Sequence, residues 1–169
     1  MKNLLLLIIC SFLFACVESP ETQYEKNGIS FTVPAGWKIT EEENIEGKGY
    51  YLSCEKEGLS QSGLVMITFL NDSFPLEDMV ESHKTNFKEN YIFKHADVSF
   101  TSNKETTFNG SACVSSEYNL TLLKVPHHGI INCFYGNGKT ISIVIQAALE
   151  DSVSTNKGIN RIIKTFKCK

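Results

Sequence analysis

From residue 110 to residue 149 apolar and polar positions alternate with the period of two expected of strands, and turn signals rather than helix caps punctuate the pattern. Asn137-Gly138 stands between Cys133-Phe134-Tyr135 and Thr140-Ile141-Ser142-Ile143. Asn-Gly is the pair that best accepts the two positive φ angles of a tight hairpin turn. With Gly136 opposite Lys139, Phe134 falls opposite Ile141, Asn132 opposite Ile143 and Ile130 opposite Ile145. One face then carries Ile130, Phe134, Ile141, Ile143 and Ile145, and the other Ile131, Cys133, Val144 and Ala148. Two partly apolar faces imply a sheet covered on both sides. A strand over 112–122 precedes the hairpin, with Val114, Ser116, Tyr118, Leu120 and Leu122 on one face. It turns near residue 123 and returns through a loop over 124–129, and Val114 and Tyr118 are expected to share a face with Ile130 and Phe134.

Elsewhere the pattern predicts a strand over 28–33, a short one from Trp37 to Ile39, a charged loop over 41–49, and a hairpin of 50–54 with 64–70. The run Leu64 to Leu70 is apolar enough for burial on both faces. Leu76, Met79, Val80, His83 and Phe87 then recur at helical spacing, with proline and two acids in the first turn, so a helix is expected near 75–88. A strand follows within 92–101. A last helix starts near 152, with Asp151 or Ser152 as its N-cap and Ile159, Ile162, Ile163 and Phe166 on its apolar stripe. Strands and helices do not alternate as βαβ units, so the expected class is α+β: an antiparallel β-sheet flanked by helices.

Two segments carry a family resemblance. Phe31 to Trp37 reads F-x-x-P-x-G-W, and Phe108-Asn109-Gly110 precedes the long strand. Together with the order of elements and a terminal helix ending in Ile-Ile-x-x-Phe, they resemble the PsbP-like proteins, a family named for the extrinsic subunit of photosystem II that includes many bacterial lipoproteins. The resemblance covers about residues 28–166. It implies an α/β/α sandwich and a role in docking onto other proteins, with no general catalytic constellation.

The first residues read differently. Met1-Lys2-Asn3 and the apolar run to Phe14 form a basic and then a hydrophobic region, shorter than the roughly 20 residues that span a bilayer. The run closes on Leu13-Phe14-Ala15-Cys16, which resembles a lipobox, so residues 1–15 are expected to be a lipoprotein signal and Cys16 the acylated residue. Residues 16–27 are polar and read as a tether reaching about 35 Å at most, leaving a domain over 28–169. The formal net charge of −3 over 169 residues offers nucleic acid no basic face.

Motifs with chemical meaning are few. Gly136 to Thr140 ends like a phosphate loop, but Cys133 stands where its first glycine belongs and a strand follows in place of a helix. Gly58 to Ser62 lacks the closing glycine of a nucleophile elbow. His127 and His128 are adjacent, so on a strand they face opposite ways and are poor joint ligands; as loop residues they are exposed. His83 is expected half-buried and hydrogen-bonded. No residue set suggests a metal or a cofactor. Of the cysteines beyond Cys16, the parity of the two hairpins puts Cys113 and Cys133 on one face as a possible disulfide and leaves Cys54 with Cys168; free buried thiols are the alternative. The resulting expectation is a lipid-tethered module of the bacterial cell envelope that binds a protein partner without catalysis. The alternative is an envelope hydrolase using His127 or His128 as base.

Overall fold

The alternation through the middle of the chain produces long, paired strands. In a computed structural model that describes residues 18–58, 62–90 and 96–169, the order is β1 (Thr22–Lys26), β2 (Ile29–Val33), β3 (Trp37–Ile45), β4 (Gly49–Lys56), β5 (Leu64–Leu70), α1 (Leu76–Glu89), β6 (Asp97–Phe100), β7 (Lys104–Phe108), β8 (Ser111–Leu122), β9 (Val125–Gly136), β10 (Lys139–Ala148), a 3-10 turn (Leu149–Asp151), α2 (Ser152–Thr165) and β11 (Lys167–Cys168). The expected leader, Cys16, the centre of the loop between β4 and β5, and residues 92–95 lie outside the described residues.

Every described strand pair is antiparallel. The large sheet runs β3-β4-β5-β10-β9-β8-β6, with β7 on the same edge of β8, and a small sheet runs β1-β2-β11. Both faces of the large sheet are covered. On one, Leu52, Ile67, Phe134, Ile141 and Ile143 pack with Ile29 and Phe31 of the small sheet and with Ile159 and Ile162 of α2. On the other, Val114, Tyr118, Ile131 and Val144 pack with Leu76, Met79, Val80 and Phe87 of α1. Each fully buried isoleucine contributes about 1.5–3 kcal/mol to this arrangement. The fold is sheet-dominated: α2 rests on β2 more than on the large sheet, so the first of these layers is a small sheet plus a helix.

The β9–β10 hairpin has the register that Asn137-Gly138 dictates, Phe134 opposite Ile141 and Ile130 opposite Ile145. The β8–β9 hairpin differs from expectation by one residue. Leu123 and Lys124 form a two-residue turn with φ of 51° and 68°, which pairs Leu122 with Val125. Residues 125–129 therefore belong to a strand and not to a return loop. Val114 now faces Cys133, and Cys113 lies opposite Phe134. Because neighbouring positions point to opposite faces, Cys113 and Cys133 sit in different cores and cannot pair in this register. Cys168 rests against Gly136, whereas Cys54 lies opposite Val65 toward the other end of the sheet.

The four thiols are free in this structure. Burial pushes Cys54 and Cys133 up to about 12 and Cys113 up to about 11, which leaves them protonated and unreactive. Native protein is thus expected to resist alkylation at Cys54, Cys113 and Cys133, while unfolding without reductant releases all four thiols; a cross-linked peptide joining Cys113 to Cys133 would contradict the register.

Two further expectations are corrected. Residues 22–26, assigned to the tether, form β1 against β2, and the segment is fastened earlier still, since Gly36 N donates to Ser19 O (2.9 Å) and Ser19 Oγ to Trp37 O (3.2 Å). The charged stretch 41–45 continues β3 beyond a bulge near Ile39. As the outer strand of the sheet, β3 suits its glutamates, which discourage pairing with another chain.

Candidate functional site

The F-x-x-P-x-G-W segment explains how α2 is seated. Trp37 N donates to Pro34 O (3.1 Å), closing a turn that delivers the indole between Gly63 and Gly158. A Cβ on Gly158 would lie 2.3 Å from Trp37 Nε1, so the helix carries a notch fitted to this ring. At the helix start, Asp151 occupies the N-cap position, but its carboxylate accepts from Ser62 N and Oγ and from Thr155 Oγ1, all at 3.1 Å. At the other end Thr32 N donates to Thr165 Oγ1 (2.9 Å) and Asn109 Nδ2 to Ile163 O (2.7 Å).

Fastened at these points, α2 covers only part of the sheet. Between it and the uncovered side of β9 and β10 runs a groove of about 430 Å³. Its floor and walls are Ile130, Ile145, Ile159 and Ile163, with Leu149 at one end and with Asn156, Asn160 and His128 supplying polar groups. Ile130 and Ile145 are cross-strand partners and remain half-buried, and Leu149 is 56% exposed. Beyond the groove, β8 presents Glu117, Asn119 and Thr121 to solvent. An apolar trough with a few placed amides is the usual form of a binding site.

A second cleft, about 520 Å³, lies on the opposite flank of α2. Three of its charged residues are already engaged: Arg161 donates to both Glu21 oxygens (2.7 and 3.1 Å), and Lys56 donates to Ser154 Oγ (2.7 Å). It offers a ligand less than the apolar groove does.

His127 is buried, not exposed in a loop, and its Nδ1–H donates to Val125 O (2.9 Å). His128 faces the opposite side, as strand geometry requires, and its Nδ1–H donates to Asn119 Oδ1 (3.2 Å). The two rings thus hydrogen-bond to a carbonyl and an amide, not to a carboxylate or a hydroxyl. His83 makes the imidazole–hydroxyl contact that a hydrolase would need, Nε2 to Ser142 Oγ at 2.8 Å, but Ser142 is wholly buried. Burial lowers His83 to about 4, so its ring is neutral near pH 7. Among the described residues no cluster of three or more His, Cys, Asp or Glu could hold a metal, and no helix is long and apolar enough to cross a membrane.

No family model matches the sequence, and no curated protein matches it. The fold has clear counterparts. The solution structure of cyanobacterial PsbP (CyanoP) from Synechocystis sp. PCC 6803 superposes with a TM-score of 0.59 over 93% of this chain and 96% of that one, at 11% identity. The chain has a PsbP-like fold. A crystal structure from Bacteroides thetaiotaomicron VPI-5482 matches with a TM-score of 0.55 at 12% identity over 87% of this chain and 48% of the other, so this chain spans about half of it. A slighter likeness, TM-score 0.48 at 10% identity over 87% and 89% of the two chains, is to LpqN, involved in cell envelope biogenesis of Mycobacterium tuberculosis. In this PsbP-like fold the F-x-x-P-x-G-W segment is a packing device. The isoleucine groove, which contains none of its residues, was not evident from the sequence, because Ile130 and Ile145 meet Ile159 and Ile163 only once α2 is seated.

Proposed function

We propose that this chain is a lipid-anchored accessory module of the bacterial cell envelope that works by docking and not by catalysis. The observation that carries the reading is the apolar groove beside α2, where Ile130, Ile145 and Ile163 sit half-covered around the buried Ile159, between a fixed helix and an exposed sheet face. Its volume suits a few apolar side chains, and His128, Asn156 and Asn160 along it can hydrogen-bond a polypeptide backbone. An extended apolar segment of an envelope protein is therefore the occupant proposed. The resemblance to PsbP-like proteins, whose members mostly act by docking, agrees with this, as does reading the layers as a sandwich open on one flank. Export and anchoring rest on residues 1–16: a basic and apolar leader ending in Leu13-Phe14-Ala15-Cys16.

The test combines both parts. Cys16→Ser is expected to abolish fatty-acid labelling. Acylated protein used as bait on detergent-solubilised envelope is expected to retain a discrete partner that Asn156→Trp, which fills the groove from its exposed rim, releases by at least tenfold. Undiminished capture by the Trp variant would rule out the groove as the docking site, and labelling of the Ser variant would rule out the anchor. Turnover of acyl or peptide substrates, lost in His128→Ala, would instead support a hydrolase.

A further inference from the structure

We propose that the end of the large sheet bearing Leu123, Leu149 and Val153 rests on the lipid bilayer, so that the domain stands on the membrane in one orientation. The inference builds on the reading that Cys16 is acylated. Ser19 is hydrogen-bonded to both Gly36 and Trp37. It lies three residue steps beyond Cys16, a reach of about 10 Å at most. An acylated Cys16 therefore holds the Pro34–Trp37 turn within about a nanometre of the bilayer surface.

The registers show what else lies at that end. Trp37 pairs with Lys56, Glu55 with Leu64, Leu64 with Gln146, and Gln146 with Gly129. The start of β3, the loop after β4, the 3-10 turn after β10 and the β8–β9 turn thus leave the sheet on one side. Five large apolar residues are exposed among those described, and three of them are here: Leu123 (90%), Val153 (78%) and Leu149 (56%). The other two, Phe74 and Tyr135, lie at the far end and are joined by a hydrogen bond from Tyr135 Oη to Phe74 O (3.1 Å).

The β8–β9 turn supplies an independent sign. Tight turns with two positive φ angles recur at 27–28, 46–47, 109–110, 123–124 and 137–138. Four of them end in glycine, and three are Asn-Gly. Only the turn at this end is Leu-Lys, although leucine is costly in the left-handed region. Its backbone cost is offset if Leu123 enters the acyl boundary while Lys124 meets lipid phosphates, the division of roles found in interfacial anchors. Charges at this end are mixed, with Lys56 and Lys124 against Glu57 and Glu150, so apolar insertion sets the contact and salt should disturb it little.

The experiment uses acylated protein in phosphatidylethanolamine–phosphatidylglycerol vesicles, with tryptophan placed at Leu123 or, as control, at Tyr135; Trp37 is only 3% exposed and gives a constant background. Brominated phospholipids are expected to quench most of the emission of Leu123→Trp and to leave Tyr135→Trp unchanged. In a second variant, Leu123→Asn with Lys124→Gly restores the Asn-Gly pair of the other turns. It should raise the melting temperature while weakening lipid quenching of Val153→Trp. Protein that floats with the vesicles but shows no quenching at 123 overturns the orientation and leaves the anchor standing. Protein that lacks the acyl mass and does not float overturns both. Shielding of position 123 only when envelope proteins are added assigns this end to a protein partner and also overturns the proposal.

Discussion

Replacing Trp37 with alanine is expected to lower the unfolding free energy by about 3–5 kcal/mol, the range for a large aromatic removed from a packed site. The ring is 3% exposed and joins three parts of the fold, the start of β3, the loop entering β5 through Gly63, and α2 through Gly158. Its loss should loosen α2 and with it one wall of the groove. The reciprocal change has a more diagnostic sign. Glycine inside a helix is ordinarily about 0.5–1 kcal/mol worse than alanine, so Gly158→Ala would stabilise a helix with free space at that face. Here the new Cβ would meet the indole at 2.3 Å, and the expected result is a loss of about 1–3 kcal/mol by overpacking. Urea titration of both variants checks this, and a Gly158→Ala protein more stable than wild type would contradict the packing.

Acidification is expected to remove up to about 3 kcal/mol of stability through His83 alone between pH 6.5 and 4. Burial of the His83 ring between its own helix α1 and the sheet, where it meets Ser142, depresses the folded-state value to about 4, while the unfolded chain titrates near the ordinary 6.5. Above 6.5 the ring is neutral in both states and the folded protein is unpenalised. As pH falls below 6.5 the unfolded chain takes up a proton that the folded protein refuses, so stability drops until about 4, where both states are charged. The carboxylates held low by Lys and Arg partners, Glu21, Glu25, Glu42 and Glu81, lose their contribution only below their ordinary 4.5. The two windows are separable. His83→Gln should flatten the upper one in denaturant titrations run at several pH values, and a profile unchanged by the substitution would show that His83 is solvated.

What the sequence disclosed depended on whether geometry was written in residue type. Asn137-Gly138 encodes a left-handed turn, so the β9–β10 register was readable, and the stripe from Leu76 to Phe87 announced α1 together with its half-buried His83. The β8–β9 register was not readable, because Leu123-Lys124 adopts the same turn without its signature. That one-residue error put Cys113 and Cys133 on the same face. β1 stayed hidden because Thr22–Lys26 has a single aromatic, Tyr24, among polar residues; the strand is held by pairing with β2 and by Tyr24 stacked on Phe31. The groove was invisible for a different reason. Its isoleucines looked like ordinary core positions, and only the seating of α2 by Trp37 leaves Ile130, Ile145 and Ile163 partly uncovered.

Site-specific photo-cross-linking in intact cells tests the docking account most directly. A photoreactive residue at Asn160, on the groove wall, is expected to capture one envelope protein in the acylated chain and to lose it when Asn156→Trp fills the groove, whereas the same probe at Glu43 on the outer strand β3 captures nothing comparable. The absence of any adduct at 160, or the same adducts at 160 and 43, would contradict the claim that this PsbP-like fold docks its partner beside α2.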